Sequence, residues 1–172
     1  MPDGSEILPA IRHLLTEAAI TFREVHHEPT RTSEESAIAR GEELRIGGKA
    51  LLMKGDDVFR LFVIPADHKL DSGAIRREFG WKKLRFATPE ELLELTGLVP
   101  GCVPPFGPPI LPFELCLDQG VTSNPRIAFN AGSLTDSIIV GMPDYLAVAK
   151  PSRVFTFSAE KTSPPSNINT RF

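Results

Sequence analysis

Lys49 stands at the head of an apolar run, behind Gly47 and Gly48, where an ammonium can hold a phosphate or meet negative charge that develops during a reaction. A lysine in that place can equally lay its stem over apolar surface and keep its head in water. The other conspicuous group is Gly97-Leu98-Val99-Pro100-Gly101-Cys102-Val103-Pro104-Pro105-Phe106-Gly107. Its glycines allow close backbone approach and positive φ, and its prolines reduce the entropy lost on ordering, so such a loop can aim backbone N–H groups at an anion or a polarised carbonyl. A rigid turn over the core, or a polyproline segment offered to an SH3-like partner, fits the same residues. Cys102 with His27 would supply a nucleophile and a base, although no local motif joins them. The four histidines (His13, His26, His27, His68) and two cysteines (Cys102, Cys116) have no metal-ligand spacing, so neither a metal nor another cofactor is expected.

These groups need a scaffold, and the hydrophobic pattern supplies one. Ile7, Leu8, Ile11, Leu14, Leu15 and Ala18 recur at helical spacing behind the N-cap candidate Ser5, predicting a helix over 6–19. A short strand around Phe22 and Val25 ends at His26-His27-Glu28-Pro29, and Thr32 with Glu35 opens a second helix that Gly41 can close. Two apolar runs, Ala50 to Met53 and Val58 to Ile64, flank Lys54-Gly55-Asp56-Asp57 and predict a β-hairpin. Helices are predicted over 72–79 and 89–96, the latter opened by Thr88-Pro89-Glu90-Glu91 and stopped by Gly97. Strands over 113–117, 126–130 and 137–140 and a helix over 143–150 follow. The expected fold is a single compact α/β domain over residues 1–157, with a mixed, largely antiparallel sheet and surrounding helices. Residues 158–172 have the composition of a flexible tail.

With 172 residues, 41% hydrophobic and 24% charged, the chain has the size and composition of one globular domain, which excludes a disordered or fibrous protein. The 19 residues from Leu95 to Phe113 carry no charge, a length that suggests a membrane span. Six prolines between Pro100 and Pro112 reject that reading, because each removes a backbone donor that a bilayer leaves unsatisfied. The net charge of −3 argues against coating nucleic acid with the whole surface. The segment from Lys69 to Arg85 is nevertheless +4, leaving −7 elsewhere, so it is either a solvated face or a local phosphate-binding surface. Two cysteines form no disulfide framework, and the first residues lack the features of a signal peptide, so a cytoplasmic protein is expected.

Taken together, His27-Glu28-Pro29, Gly48-Lys49-Ala50-Leu51-Leu52, the Gly97-Leu98-Val99-Pro100-Gly101 loop with Pro104-Pro105-Phe106, and Ile127-Ala128-Phe129-Asn130-Ala131-Gly132 resemble, in order and spacing, the YbaK/ProX family. The family consists of free-standing trans-editing domains that hydrolyse mischarged aminoacyl-tRNA and are related to the insertion domain of prolyl-tRNA synthetase. The resemblance runs from about residue 6 to 157 and implies a compact α/β fold around a curved mixed sheet with a metal-free pocket. In it Lys49 matches the family's active-site lysine, and Gly97 to Gly101 its substrate loop. The resemblance thus implies that backbone amides near Pro100 and Gly101 hold the ester carbonyl while Lys49 positions the terminal adenosine or its phosphate, and that a ribose hydroxyl helps to activate water. Gly97, His27, Phe106, Asn130, Gly132 and Ser133 are the implied substrate-binding residues, with His27 at the rim. Lys82, Lys83 and Arg85 are the candidate tRNA contacts. Relatives that clear alanine carry a His-Pro pair beyond the Gly-Pro loop, whereas this chain has no histidine after His68. Its Pro-Pro-Phe, Phe-Asn-Ala-Gly and Asp144-Tyr145-Leu146 are more similar to the subgroup that removes serine and threonine. The implied partner is the acceptor end of an aminoacyl-tRNA, with a synthetase as a further candidate and neither DNA nor membrane. A non-catalytic tRNA- or synthetase-binding module with the same fold is the alternative.

Overall fold

From Leu61 to Pro65 the run Val58–Pro65 is apolar at successive positions, so a strand made from it needs cover on both faces there. It has that cover in the computed structural model, which describes residues 2–161. In chain order the strands are β1 (Arg23–His26), β2 (Gly48–Gly55), β3 (Val58–Pro65), β4 (His68–Leu70), β5 (Leu84–Phe86), β6 (Glu114–Asp118), β7 (Arg126–Asn130), β8 (Asp136–Gly141), β9 (Arg153–Phe155) and β10 (Ser158–Glu160). The helices are α1 (Ile7–Glu17), α2 (Ser33–Arg40), α3 (Ser72–Phe79), α4 (Pro89–Thr96), α5 (Gln119–Thr122) and α6 (Met142–Ala149).

A five-stranded sheet runs β5, β2, β3, β6, β9, with β2 antiparallel to both neighbours and β6 parallel to both of its own. A second sheet, β1, β8, β7, is antiparallel throughout, and a parallel bridge from Gly47 to Ala128 ties it to the first. Strands β4 and β10 form a separate antiparallel pair. The fold is therefore the expected α/β domain with mixed, largely antiparallel pairing. Leu61 and Val63 of β3 face the larger core with α1, α4, α6 and β7, whereas Phe62 and Ile64 face a second cluster with Ile75, Cys116 and Phe157. Alternation along one strand thus builds two cores.

The expected tail begins too early. β10 lies antiparallel to β4, and the chain before it is pinned where the Phe157 N–H donates to the buried Asp118 carboxylate at 2.7 Å and the Asp71 N–H to the Phe157 carbonyl at 2.8 Å. Residues 158–161 consequently belong to the fold, and the rest of the expected tail, 162–172, lies outside the described residues. A three-residue strand is too short to show a period in the sequence, and its partners are distant.

What matters for function is the incomplete cover of β2. Strand β5 pairs with it only from Met53 to Gly55. The Leu52 carbonyl accepts from the Ala87 N–H at 2.9 Å, so by strand alternation the backbone polar groups of Ala50 point the same way with no strand opposite.

Candidate active site

The open edge of β2 forms one wall of a cleft of about 570 Å3. The segment leading into α2 from Thr30, the turn from Phe86 to Pro89, and the Gly-Pro loop at Pro100 and Gly101 form the others, with Asn130 at the end of β7. Two close approaches make this arrangement. A side chain on Gly48 would place its Cβ 2.5 Å from Ile127 Cδ1, so glycine lets β2 lie against β7. Gly101 has φ +93°, a conformation that turns the loop back toward Asn130 and that residues with a Cβ seldom adopt.

Lys49 is exposed and lines the cleft, as do Pro100, Gly101 and Asn130. Within the loop only one expected backbone donor is available. Pro100 has no N–H, and the Cys102 N–H donates to the Val99 carbonyl at 3.1 Å. The Gly101 N–H makes no hydrogen bond among the described residues, while the Gly101 carbonyl is held by Asn130 Nδ2 at 2.8 Å. Pro100 therefore stiffens the loop without offering a donor, and Gly101 keeps an N–H without a partner among the described residues.

Arg40 was not among the expected site residues. It sits in the last turn of α2, is only 7% exposed, and lines the cleft. Its Nε donates to Ser137 Oγ at 2.9 Å and its Nη2 to Asn130 Oδ1 at 3.0 Å, and among the described residues no carboxylate pairs with it, since the neighbouring Glu42 is taken by Arg23 and Arg126. Burial draws its pKa down to about 10, against a weaker opposing pull from Glu42. A basic residue in the last helical turn reads from sequence as a partner for the helix dipole. The available signal was its spacing: Ser36, Ala37 and Arg40 share the buried face of α2.

Several expected substrate contacts instead hold the fold together. Phe106 is buried in the core, packed edge-on against Phe129 and Tyr145. Gly97 closes α4 with φ +74°, and a Cβ there would lie 2.4 Å from Gly4 N and Pro2 O; Gly132, at φ +76°, backs onto Ile7. Ser133 caps its own turn through Asp136 Oδ2 and the Thr135 N–H. None of these four lines the cleft. His27 lies behind it, with Nδ1 on the Glu28 carbonyl and Nε2 on Ser137 Oγ, both at 2.8 Å, so it is a buttress to the Arg40 network. It is not paired with Cys102, whose buried thiol is shifted upward by desolvation. Pro104 to Gly107 are buried, which removes the SH3-ligand reading.

Lys82, Lys83 and Arg85 lie beside the other end of β2, about 20 Å from Lys49 at the usual rise per strand residue. Arg85 is engaged by both carboxylate oxygens of Glu91 at 2.7 and 2.9 Å. Arg31 and Lys161 lie at the cleft itself. Among the described residues, no group of three or more His, Cys, Asp or Glu side chains is arranged to hold a metal ion, and no helix is long and apolar enough to cross a membrane.

The family model described as an aminoacyl-tRNA editing domain matches residues 27–148, which include the cleft walls from Thr30 to Asn130. The chain belongs to this family. It is accordingly an ester hydrolase that acts on aminoacyl-tRNA. It is 36% identical over 160 residues to the multifunctional Ser/Thr-tRNA deacylase ProXp-y of Escherichia coli K12, covering 90% of this chain and 95% of that protein. It is 34% identical over 101 residues to the proline–tRNA ligase of Shouchella clausii, covering 59% of this chain but 18% of the ligase. A crystal structure provisionally named as a trans-editing enzyme for prolyl tRNA synthetase superposes with a TM-score of 0.77 at 28% identity, covering 94% of this chain and 99% of that one.

Proposed function

We propose that this editing domain removes serine or threonine from mischarged tRNA, with Lys49 holding the phosphate of the terminal adenosine and the Gly101 N–H donating to the ester carbonyl. The observation that carries the reading is the juxtaposition, along one cleft, of an exposed lysine and a free backbone donor on a clamped loop. A water attacks the carbonyl carbon, assisted by the neighbouring ribose hydroxyl, and its proton ends on the departing ribose oxygen. The chain contributes position and electrostatic preorganisation rather than a side-chain base.

A hydroxylated substrate is favoured by Thr30 and Ser36. Both residues line the cleft, and their hydroxyls bond to each other at 2.7 Å. Each hydroxyl has one donor and two acceptor positions, so the pair retains a donor and lone pairs for a third hydroxyl. A site built to bond a substrate hydroxyl rejects analogues that lack one far better than an apolar pocket can. The 36% identity to a Ser/Thr-tRNA deacylase supports the same choice. Lys82 and Lys83, on the same side of the molecule as β5, would meet phosphates further along the acceptor strand. Similarity to part of a proline–tRNA ligase supports a synthetase as partner, and the cytoplasm as the place of action.

Incubation with tRNAs charged with serine, threonine, alanine or cysteine tests this. Serine and threonine esters should be cleaved fastest, and Lys49→Ala should slow cleavage at least roughly tenfold. Binding of tRNA without turnover of any ester would establish the non-catalytic module instead.

A further inference from the structure

The most buried charged residue lining the cleft is one that the proposed roles leave unused. Arg40 is a cation that folding has taken out of water without, among the described residues, a carboxylate to pair with it, an arrangement that costs stability unless a ligand offsets it. Its Nε and Nη2 are tied to Ser137 and Asn130, which fixes the plane of the guanidinium. The remaining nitrogen, Nη1, lies beside Gly47, about where a Cβ on that glycine would approach it to 3.5 Å, and makes no hydrogen bond among the described residues. Asn130 bonds Arg40 through one end of its amide and the Gly101 carbonyl through the other, so a single side chain sets the guanidinium and the donor loop relative to each other.

Depth decides what Arg40 meets. The substrate is a polymer whose aminoacyl ester is its very end, so the ester enters furthest while phosphates stay near the mouth. Lys49 is exposed there, whereas Arg40 is buried in the wall. The α-ammonium of the substrate is repelled by a guanidinium, and of the oxygens at that end the carbonyl oxygen is the one that gains negative charge as water adds, so it is the group a fixed cation favours most.

We propose that Arg40 is a catalytic residue of the deacylation, its Nη1 donating to the ester carbonyl oxygen opposite the Gly101 N–H. This rests on the deacylase reading above. As water adds to the carbonyl carbon, the π pair moves onto that oxygen, and Arg40 stabilises the negative charge. When the pair returns, the bond to the ribose oxygen breaks, that oxygen takes the proton lost by water, and the free amino acid departs. The charge on Arg40 is unchanged throughout. Ser137 is a positioning residue that acts through Arg40, with His27 behind it.

Single-turnover deacylation of Ser-tRNA and Thr-tRNA, with uncharged-tRNA binding and thermal unfolding measured alongside, tests the assignment. Arg40→Gln should slow the chemical step about 100-fold while uncharged-tRNA affinity stays within about twofold, since the donor acts on charge present only in the transition state. Arg40→Lys should recover part of the rate, because it keeps the charge and loses the fixed fork. A folded Arg40→Gln variant with a rate near wild type overturns the proposal, as does a loss confined to tRNA binding, which would make Arg40 a phosphate contact. Should Arg40→Gln fail to fold, Arg40→Lys decides: full activity overturns the proposal, and a slowed chemical step with unchanged tRNA binding supports it. Failure of the wild-type protein to cleave any ester would overturn the deacylase reading itself, whatever the variants do.

Discussion

Asn130 concentrates the logic of the site in one amide. Its Oδ1 accepts from Arg40 and, at 3.2 Å, from Ser137, while its Nδ2 donates to the Gly101 carbonyl. Removing it releases both the guanidinium and the loop. Asn130→Ala should cost about 2–4 kcal/mol of stability, because it removes three hydrogen bonds, one of them to a buried guanidinium, and it should also slow deacylation, because two groups lose their aim. Asn130→Asp separates the two: the carboxylate keeps Arg40 but cannot donate to Gly101. Urea unfolding and single-turnover rates on both variants check this. Lys49, Pro100, Gly101 and Asn130 were legible only through the resemblance of four motifs in register, because by type alone each fits an ordinary surface or turn role equally well. Gly97 was legible as the stop of a helix as well as a loop glycine, whereas Gly132 and Phe106 were legible as important but not as structural, since a residue needed for close packing looks, in sequence, like one needed for a ligand.

At the scale of elements, the loop that carries Gly101 depends on the helix before it. Thr88 and Glu91 form a complete capping box at the start of α4, with the Glu91 N–H donating to Thr88 Oγ1 at 3.1 Å and the Thr88 N–H to Glu91 Oε1 at 2.9 Å. That pattern, with Pro89 in the first turn, was readable in the sequence because capping is local chemistry over four residues. Gly97 ends the helix and abuts Gly4 and Pro2. Gly97→Ala should destabilise the protein by about 1–3 kcal/mol through its positive φ alone, and more if Pro2 to Gly4 cannot shift. A fall in the urea midpoint, without change in the cleavage rate per folded molecule, is the expected result. Strands β4, β5, β9 and β10 escaped the sequence because three residues show no period and their stability comes from neighbours far along the chain.

Over the whole molecule, arginine–carboxylate pairs set the response to acid. Glu42 is held below its ordinary value first by its hydrogen bonds with Arg126 and further by Arg23, linking the turn after α2 to β7 and β1. Glu91 is drawn down to about 2, chiefly by Arg85 and then by the Thr88 backbone. Both carboxylates bind protons less readily when folded than when unfolded. Their stabilisation is therefore present above the unfolded carboxylate range and is lost as pH falls toward the folded values. The urea midpoint should be flat near neutrality and decline below about pH 4.5, and Glu42→Gln should shrink that decline. A profile that declined equally in Glu42→Gln would remove Glu42 from the account.

The sequence by itself determined the fold class, the hairpin carrying Lys49 and the caps of α4, because each is written in contacts between near neighbours or in the period of one element. Only the tertiary structure decided which residues share the cleft. Arg40 and Asn130 lie 90 positions apart, and Asn130 and Gly101 lie 29 apart. Their meeting depends on how the two sheets join at Gly47 and Ala128 and on β5 stopping short along β2. Those are consequences of packing, and no local pattern encodes them.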